Sequence, residues 1–233
     1  DTKMNGKDQS AISKARRARE RDVLKARIKD IAREMFVREG YEAVTLDKIA
    51  TALEYTRPAI YRYFKDKNDL LAAIVLEDME DLHAKLLQCV RIKDPLKRMV
   101  EMARRNTEWA VAHPNHYLLF YSPAWRAVED AVRAGEGVPP EQEPLSVMFR
   151  TIAELIASGR LKAEYNDASL VTRTLWAGMH GVIMLAITMS DYDKTLIHEK
   201  KKRSVLQSLD VMIGGMMKGM LRDKQTRFSN SKE

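Results

Sequence analysis

A chain of 233 residues with 45% hydrophobic and 31% charged residues is long enough to bury one large core or a small and a larger one, which excludes disorder throughout. A single cysteine excludes an intrachain disulfide, and neither an unbroken apolar run of about 18 to 20 residues nor an opening signal peptide is present, so a cytoplasmic protein without a membrane span is expected. The net charge of +7 is unevenly placed: residues 1–67 carry +6 and residues 68–233 only +1, so the front end is suited to a polyanion and the remainder to another task.

The first residues are polar, and Lys14, Arg16, Arg17, Arg19 and Arg21 form a basic arm, taken as residues 1–21 and expected to be partly disordered. Leu24, Ile28, Ile31, Ala32, Met35 and Phe36 then recur mainly at three- and four-residue spacing, which predicts a helix that stops at Gly40. Thr45 suits the N-cap of a short second helix carrying Leu46, Ile49, Ala50 and Leu53. Thr56 is expected to cap a third that begins Arg57-Pro58, with proline near its favoured place in the first turn. A long fourth helix follows Asp66 and ends near Pro95, with Cys89 expected as a buried, inert thiol in its apolar run.

Helical periodicity continues over 96–112, 115–134, 145–158, 168–190 and 204–222, interrupted at Pro114, at the loop Gly135–Pro144, at Gly159 and at the polar run Ser190–Arg203. With no run of β alternation, the expected fold is all-α with about nine helices. A helix-turn-helix domain (22–67) is joined through the fourth helix to a larger helical part (68–222), followed by a polar tail (223–233).

Two short helices separated by about three residues, the second rich in Arg and Tyr, predict a helix-turn-helix whose last helix enters a DNA major groove. Ile60 and Phe64 are four apart and face inward together, leaving Arg57, Ala59, Tyr61 and Arg62 outward. Arginine suits bidentate contact with guanine, and alanine permits close approach. Phe36, Gly40 and Tyr41, Thr45, Ile49-Ala50, Ile60-Tyr61-x-Tyr63-Phe64 and Lys67 before Leu70-Leu71 together resemble the N-terminal signature of the TetR family of transcriptional regulators.

That resemblance implies phosphate contacts from Thr45, Tyr61, Tyr63 and Lys67, and places Arg57, Pro58, Ala59 and Arg62 at or near the bases. The family usually has glycine in the turn, where this chain offers Leu53-Glu54-Tyr55; a left-handed Glu54 implies strain of roughly 1 to 2 kcal/mol. Tyr61 and Tyr63 can each be read as ordinary packing, whereas among Arg57, Arg62, Lys65 and Lys67 they read together as a backbone clamp. For the basic arm, a solvated charge run and an added DNA contact both stay open.

Further on, Trp176-x-x-x-His180-Gly181 resembles the Trp-His-Gly motif of one group of these regulators, and His113-Pro114-x-x-Tyr117 its junction between helices five and six. Trp109, Tyr117, Tyr121, Trp125, Trp176 and His180 are the effector-binding candidates for a mostly apolar small molecule, beside the plain reading that they are core. Gly178, Gly181, Gly214, Gly215 and Gly219 lie in the last two helices, where mid-helix glycine costs about 0.8 to 1 kcal/mol against alanine. Close helix crossing in a homodimer interface gives a reason for them, and the resemblance implies dimerisation there.

No phosphate-cradling glycine loop, nucleophile elbow or paired metal motif is present, and His113-x-x-His116 lacks evident co-ligands, so neither an enzyme, a metal site nor a cofactor is expected. The implied function is a sequence-specific repressor, a homodimer on a palindromic DNA operator, released by a small-molecule effector. The alternative is a non-sequence-specific binder of nucleic acid or an anionic surface through the basic segment.

Overall fold

The computed structural model describes residues 6–133, 144–189 and 198–222. Ten α-helices and one 3-10 turn make up the described residues: α1 Gly6–Glu39, α2 Leu46–Ala52, α3 Arg57–Tyr61, α4 Lys67–Leu87, the turn Gln88–Arg91, α5 Pro95–Ala112, α6 Pro114–Phe120, α7 Pro123–Arg133, α8 Pro144–Ala157, α9 Ala168–Thr188 and α10 His198–Met220. No strand occurs among them, only an isolated antiparallel bridge between Leu161 and Leu221. The tail 223–233, most of the loop Gly135–Pro144 and the start of the chain lie outside the described residues.

The chain is all-α, with one helix more than periodicity alone predicts. The expected segment 115–134 is two helices, because Pro123 has no amide to continue the ladder and Ser122 Oγ accepts the Trp125 amide at 3.1 Å, opening α7. The fourth helix ends earlier than expected, at Leu87, and its last apolar residues tighten into the 3-10 turn that buries Cys89. Burial raises the Cys89 thiol pKa, which keeps it in the unreactive protonated form.

Aspartates set the starts of three helices, α4, α5 and α9. Asp94 accepts the amides of Leu96 and Lys97 at 2.8 and 3.0 Å, Asp167 those of Ser169 and Leu170 at the same two distances, and Asp66 that of Asp69 at 2.8 Å. Gly40, at φ +86°, ends α1 in the left-handed conformation that only glycine adopts without strain.

The chain divides into two compact units. The first joins residues 1–78 with 115–132, so α6 and most of α7 belong with the helix-turn-helix and the division does not fall at the expected residue 67. Its core is Ile28, Ala32, Phe36, Val44, Leu46, Ile49, Leu53, Ile60, Phe64, Leu70, Leu71 and Ile74, the stripe that the sequence periodicity marks. A buried ionic cluster lies beside it. Arg33 of α1 donates from Nη2 and Nε to the two carboxylate oxygens of Asp78 of α4 at 2.8 and 3.1 Å, and from Nη1 to Asp30 at 2.8 Å, while His116 Nδ1 of α6 lies 2.9 Å from Asp78 Oδ1.

The second unit, residues 79–114 and 133–233, is a bundle in which α5 packs on α8, α9 and α10, and α9 on α8 and α10. Its interior is Met99, Met102, Ile152, Leu155, Leu175, Met179, Ile183, Leu209, Ile213 and Met217. Helix α9 is long and apolar enough by length and composition to cross a membrane, which a search for unbroken apolar runs overlooks because Arg173 and His180 interrupt it. Its Val171, Leu175, Met179 and Ile183 are nevertheless buried within the bundle.

Candidate nucleic-acid interface

Helix α2 starts because Thr45, extended at φ −124° and ψ 158°, caps it: the Lys48 amide donates to the Thr45 hydroxyl oxygen at 3.2 Å. The same hydroxyl keeps its own proton, so an exposed Thr45 can cap the helix and donate to an outside oxygen together. Between α2 and α3 the chain turns through Glu54 at φ +60°. A side chain holds here the left-handed position for which glycine is suited, and the expected strain is present.

Helix α3 has a little over one turn. Ile60 is fully buried and Phe64 nearly so, which fixes the rotation of the helix and turns Arg57, Tyr61 and Arg62 to solvent. Pro58 is exposed and Ala59 half-buried on its N-terminal side. Tyr63 is only half-exposed, set back from that face, and Arg62 serves as the C-cap.

Two groups hold Arg57. Its Nε lies 3.0 Å from Asp47 Oδ1 of α2, its Nη2 donates to the Tyr61 hydroxyl at 3.3 Å, and the guanidinium sits 5.2 Å from the centre of the Tyr61 ring. With Nε and one Nη2 donor engaged, the exposed guanidinium keeps further N–H donors, groups suited to acceptors such as guanine O6 and N7. Asp47 is absent from the sequence-derived set: it shares no helix face pattern with Arg57, and only the turn brings the two together. Arg62 makes no ion pair among the described residues.

Lys67 opens α4, as expected. Its ammonium donates to the Tyr41 carbonyl at 2.8 Å, lies 4.1 Å from the Tyr41 ring centre and stands 3.8 Å from the Glu42 carboxylate. These contacts hold the charge beside the first turn of α4, where unpaired amides and the positive end of the helix dipole already favour an anion. Burial pushes the Tyr41 hydroxyl up to about 12, so it stays a neutral hydrogen-bond donor, directed at Asn68 Oδ1.

The effector candidates divide between the units. Tyr117, Tyr121 and Trp125 belong to the first, where Tyr117 and Trp125 are buried and the rings of Tyr117 and Tyr121 meet at 4.7 Å. Burial raises the Tyr117 hydroxyl pKa far above the ordinary value. Trp109, Trp176 and His180 belong to the second. Trp109 Nε1 donates to Asp81 Oδ2 at 2.7 Å, its ring meets that of His113 at a tilt of 50° with centres 5.4 Å apart, and both rings border an open pocket of about 270 Å³ with Lys85, Gln88, Arg105, Glu108 and Ala112. Trp176 and His180 stack nearly parallel at 5.1 Å and do not line that pocket; burial lowers the His180 pKa. His113 and His116 take different partners, Trp109 and Asp78, and no group of three metal-ligating side chains occurs among the described residues.

Of the glycines expected at an interface, Gly178 lies at the crossing of α9 and α10 within the chain, where an added Cβ meets Met212 Sδ at 2.9 Å. Gly181, Gly214, Gly215 and Gly219 face open space.

Comparison with known proteins gives this geometry a family. The family model for bacterial regulatory proteins of the tetR family matches residues 28–74, and that for the tetracyclin repressor-like C-terminal domain matches residues 99–191. An HTH-type transcriptional regulator of Mycobacterium bovis is 26% identical over 206 residues, covering 76% of this chain and 85% of the relative. One from Staphylococcus aureus is 37% identical over 68 residues, 29% of this chain, and the match spans only about a third of that relative, 35%. Among solved structures, a TetR/AcrR regulator from Thermobifida fusca superposes with a TM-score of 0.54 at 26% identity, covering 82% of this chain and 97% of that one. A TetR family regulator from Thermus thermophilus reaches 0.61 at 17% identity, covering 80% and 96%. With both halves matched, the chain belongs to the TetR family of helix-turn-helix transcriptional regulators.

Proposed function

We propose that this regulator is a homodimeric repressor that grips a palindromic DNA operator through α3 and is released by a small-molecule effector. The observation that carries the reading is the outward face of α3, with Arg57, Tyr61 and Arg62 exposed opposite the buried Ile60 and Phe64 and flanked by Thr45 and Lys67. Thr45, Tyr61, Tyr63 and Lys67 hold backbone phosphates, and Arg57 and Arg62 read base edges, with Pro58 and Ala59 allowing close approach. The protein acts by binding, in the cytoplasm, and not by catalysis.

Dimerisation is supported by an apolar outer face on the last two helices: Val211 is 76% exposed, Leu185 59% and Leu170 56%, beside the open Gly181, Gly215 and Gly219. Such a patch, with room for close approach, suits a two-fold mate. Two recognition helices then sit roughly 34 to 36 Å apart, one turn of duplex. The effector candidates stay as named, with Trp109 at the mouth of the pocket in the second unit.

Selection of duplexes from a random pool by the full chain, followed by sedimentation with Gly215→Leu, tests this. A two-fold symmetric site and a dimer weakened by the substitution are expected. Retention of random and selected duplexes with equal affinity at moderate salt overturns the repressor reading in favour of a charge-only binder. A screen of small molecules for loss of the complex, followed by tryptophan fluorescence, tests the effector.

A further inference from the structure

Helix α1 is longer than the domain it serves. It runs for 34 residues, yet from Lys14 onward its first buried side chain is Ile28, and every residue from Lys14 to Val23 is exposed. At 1.5 Å per residue, that exposed stretch alone extends about 15 Å.

The rotation of the helix gives this extension a direction. Ile28, Ala32 and Met35 are buried on the face that α1 turns toward the helix-turn-helix core. Going back along the same stripe at three- and four-residue steps, the side chains are Lys25, Arg21, Arg17 and Lys14. One continuous face therefore changes from apolar to cationic where the domain body ends. Lys25, the first of these cations, still touches the body, its ammonium 5.7 Å from the centre of the Phe64 ring, three residues beyond Tyr61. Lys14, Arg17 and Arg21 make no ion pair among the described residues, whereas Arg16, off the stripe, pairs with Glu20 at 3.5 Å.

We infer that the stripe Lys14, Arg17, Arg21 and Lys25 is a second DNA contact, which binds duplex backbone phosphates beyond those held by the helix-turn-helix. The inference rests on the DNA-directed reading above and extends it. Three features favour duplex DNA over an anionic membrane. The stripe is continuous with the face of α1 that packs on the helix-turn-helix. Its charges recur on one side of a straight rod, as a row of phosphates requires. The exposed turns have no Trp, Phe or Leu face to enter a lipid interface, only Ala15, Ala18 and Val23. Contacts of this kind carry no sequence information and act on affinity and its salt dependence.

The test compares two variants of the full chain that lose the same charge. Arg17→Gln with Arg21→Gln removes two stripe cations, and Arg16→Gln with Arg19→Gln removes two from other faces; glutamine keeps helix propensity, and the sites are exposed, so both variants fold. Affinity is measured against salt on a long duplex selected by the wild type and on a scrambled one. The stripe variant is expected to flatten the slope of log K against log salt by about 0.9 per lost phosphate contact, so by about 2 per protomer, on both duplexes, and to shorten the protected footprint. The off-stripe variant is expected to change it much less. Equal changes in the two variants mean diffuse charge and overturn the site. An unchanged slope in the stripe variant overturns it too, whether or not that variant loses binding to phosphatidylserine-containing vesicles. Because binding to the scrambled duplex needs no base readout, a protein that selects no operator defeats the repressor reading while the difference between the stripe and off-stripe variants still tests the stripe.

Discussion

In the first unit Thr45, Arg57, Tyr61 and Arg62 are displayed on the outside of a small apolar core, and the buried ion pair beside that core, Arg33 with Asp78, is a bidentate one. In the second unit the core is broad and methionine-rich, with Trp109 buried in it and Trp176 stacked on His180. Exposed polar groups such as Arg57, Arg62 and Thr45 have positions fixed by what lies beneath them, Ile60, Phe64 and Ile49, so their chemistry can be derived from their neighbours. A buried aromatic such as Trp109 satisfies a core and a ligand site equally well, so its burial alone does not separate the two roles.

The contrast can be broken most directly at Asp78. If a buried ionic cluster holds α1, α4 and α6 in register, Asp78→Ala leaves the Arg33 guanidinium buried without its main partner and should cost about 3 to 5 kcal/mol. Chemical denaturation followed by circular dichroism measures this. A loss below about 1 kcal/mol would show that the apolar stripe suffices and that the cluster is incidental.

The display side of the comparison is sharpened at Arg57 and Lys67. Arg57→Ala should cost about 1 to 3 kcal/mol on the selected duplex and relax choice at one base pair. Lys67→Ala should weaken selected and scrambled duplexes alike, and a titration on both duplexes separates the two outcomes. Asp47→Ala offers a finer version, because it frees Nε of Arg57 without removing the guanidinium; a smaller loss of discrimination than for Arg57→Ala is expected.

A smaller effect, opposite in sign, is expected in the turn. Glu54→Gly removes left-handed strain of roughly 1 to 2 kcal/mol, offset in part by the greater freedom of glycine in the unfolded chain, so a net gain near ~0.5 to 1 kcal/mol should appear as a higher melting temperature.

The smallest effect belongs to the second unit. Burial lowers the pKa of His180, so the unfolded chain takes up its proton first as pH falls; stability is full above the unfolded value near ~6.5 and declines as pH drops through it toward the folded value. Melting curves at several pH values should show the wild type losing slightly more stability than His180→Asn between pH values of about 7.5 and 5.5. Identical pH dependence would mean that the stacked imidazole is as well solvated as a free one.

Much of this molecule follows from local rules acting on its sequence. Thr45 and Asp66 open helices through hydrogen bonds within a few residues, Gly40 closes one by its left-handed conformation, and Ile28, Ala32, Ile49, Ile60 and Phe64 declare the buried face by spacing, so the helix-turn-helix and its outward residues are legible without coordinates. The exposed face of α3 follows from the same rotation, since burying Ile60 and Phe64 leaves Arg57 and Arg62 nowhere to go but outward. Tertiary structure alone decided the rest, because it joins residues distant in the chain. The pairing of Arg33 with Asp78 and His116 bridges three helices, Asp47 reaches Arg57 only across the turn, and the division of the chain assigns α6 and α7 to the unit that holds the helix-turn-helix. Gly178 met Met212 of its own chain while Gly215 was left open, a distinction set by the crossing of α9 and α10 and by nothing in the spacing of the glycines. Helix periodicity fixes which face is apolar; which of several apolar faces meets which partner depends on packing between helices, which no short-range pattern encodes.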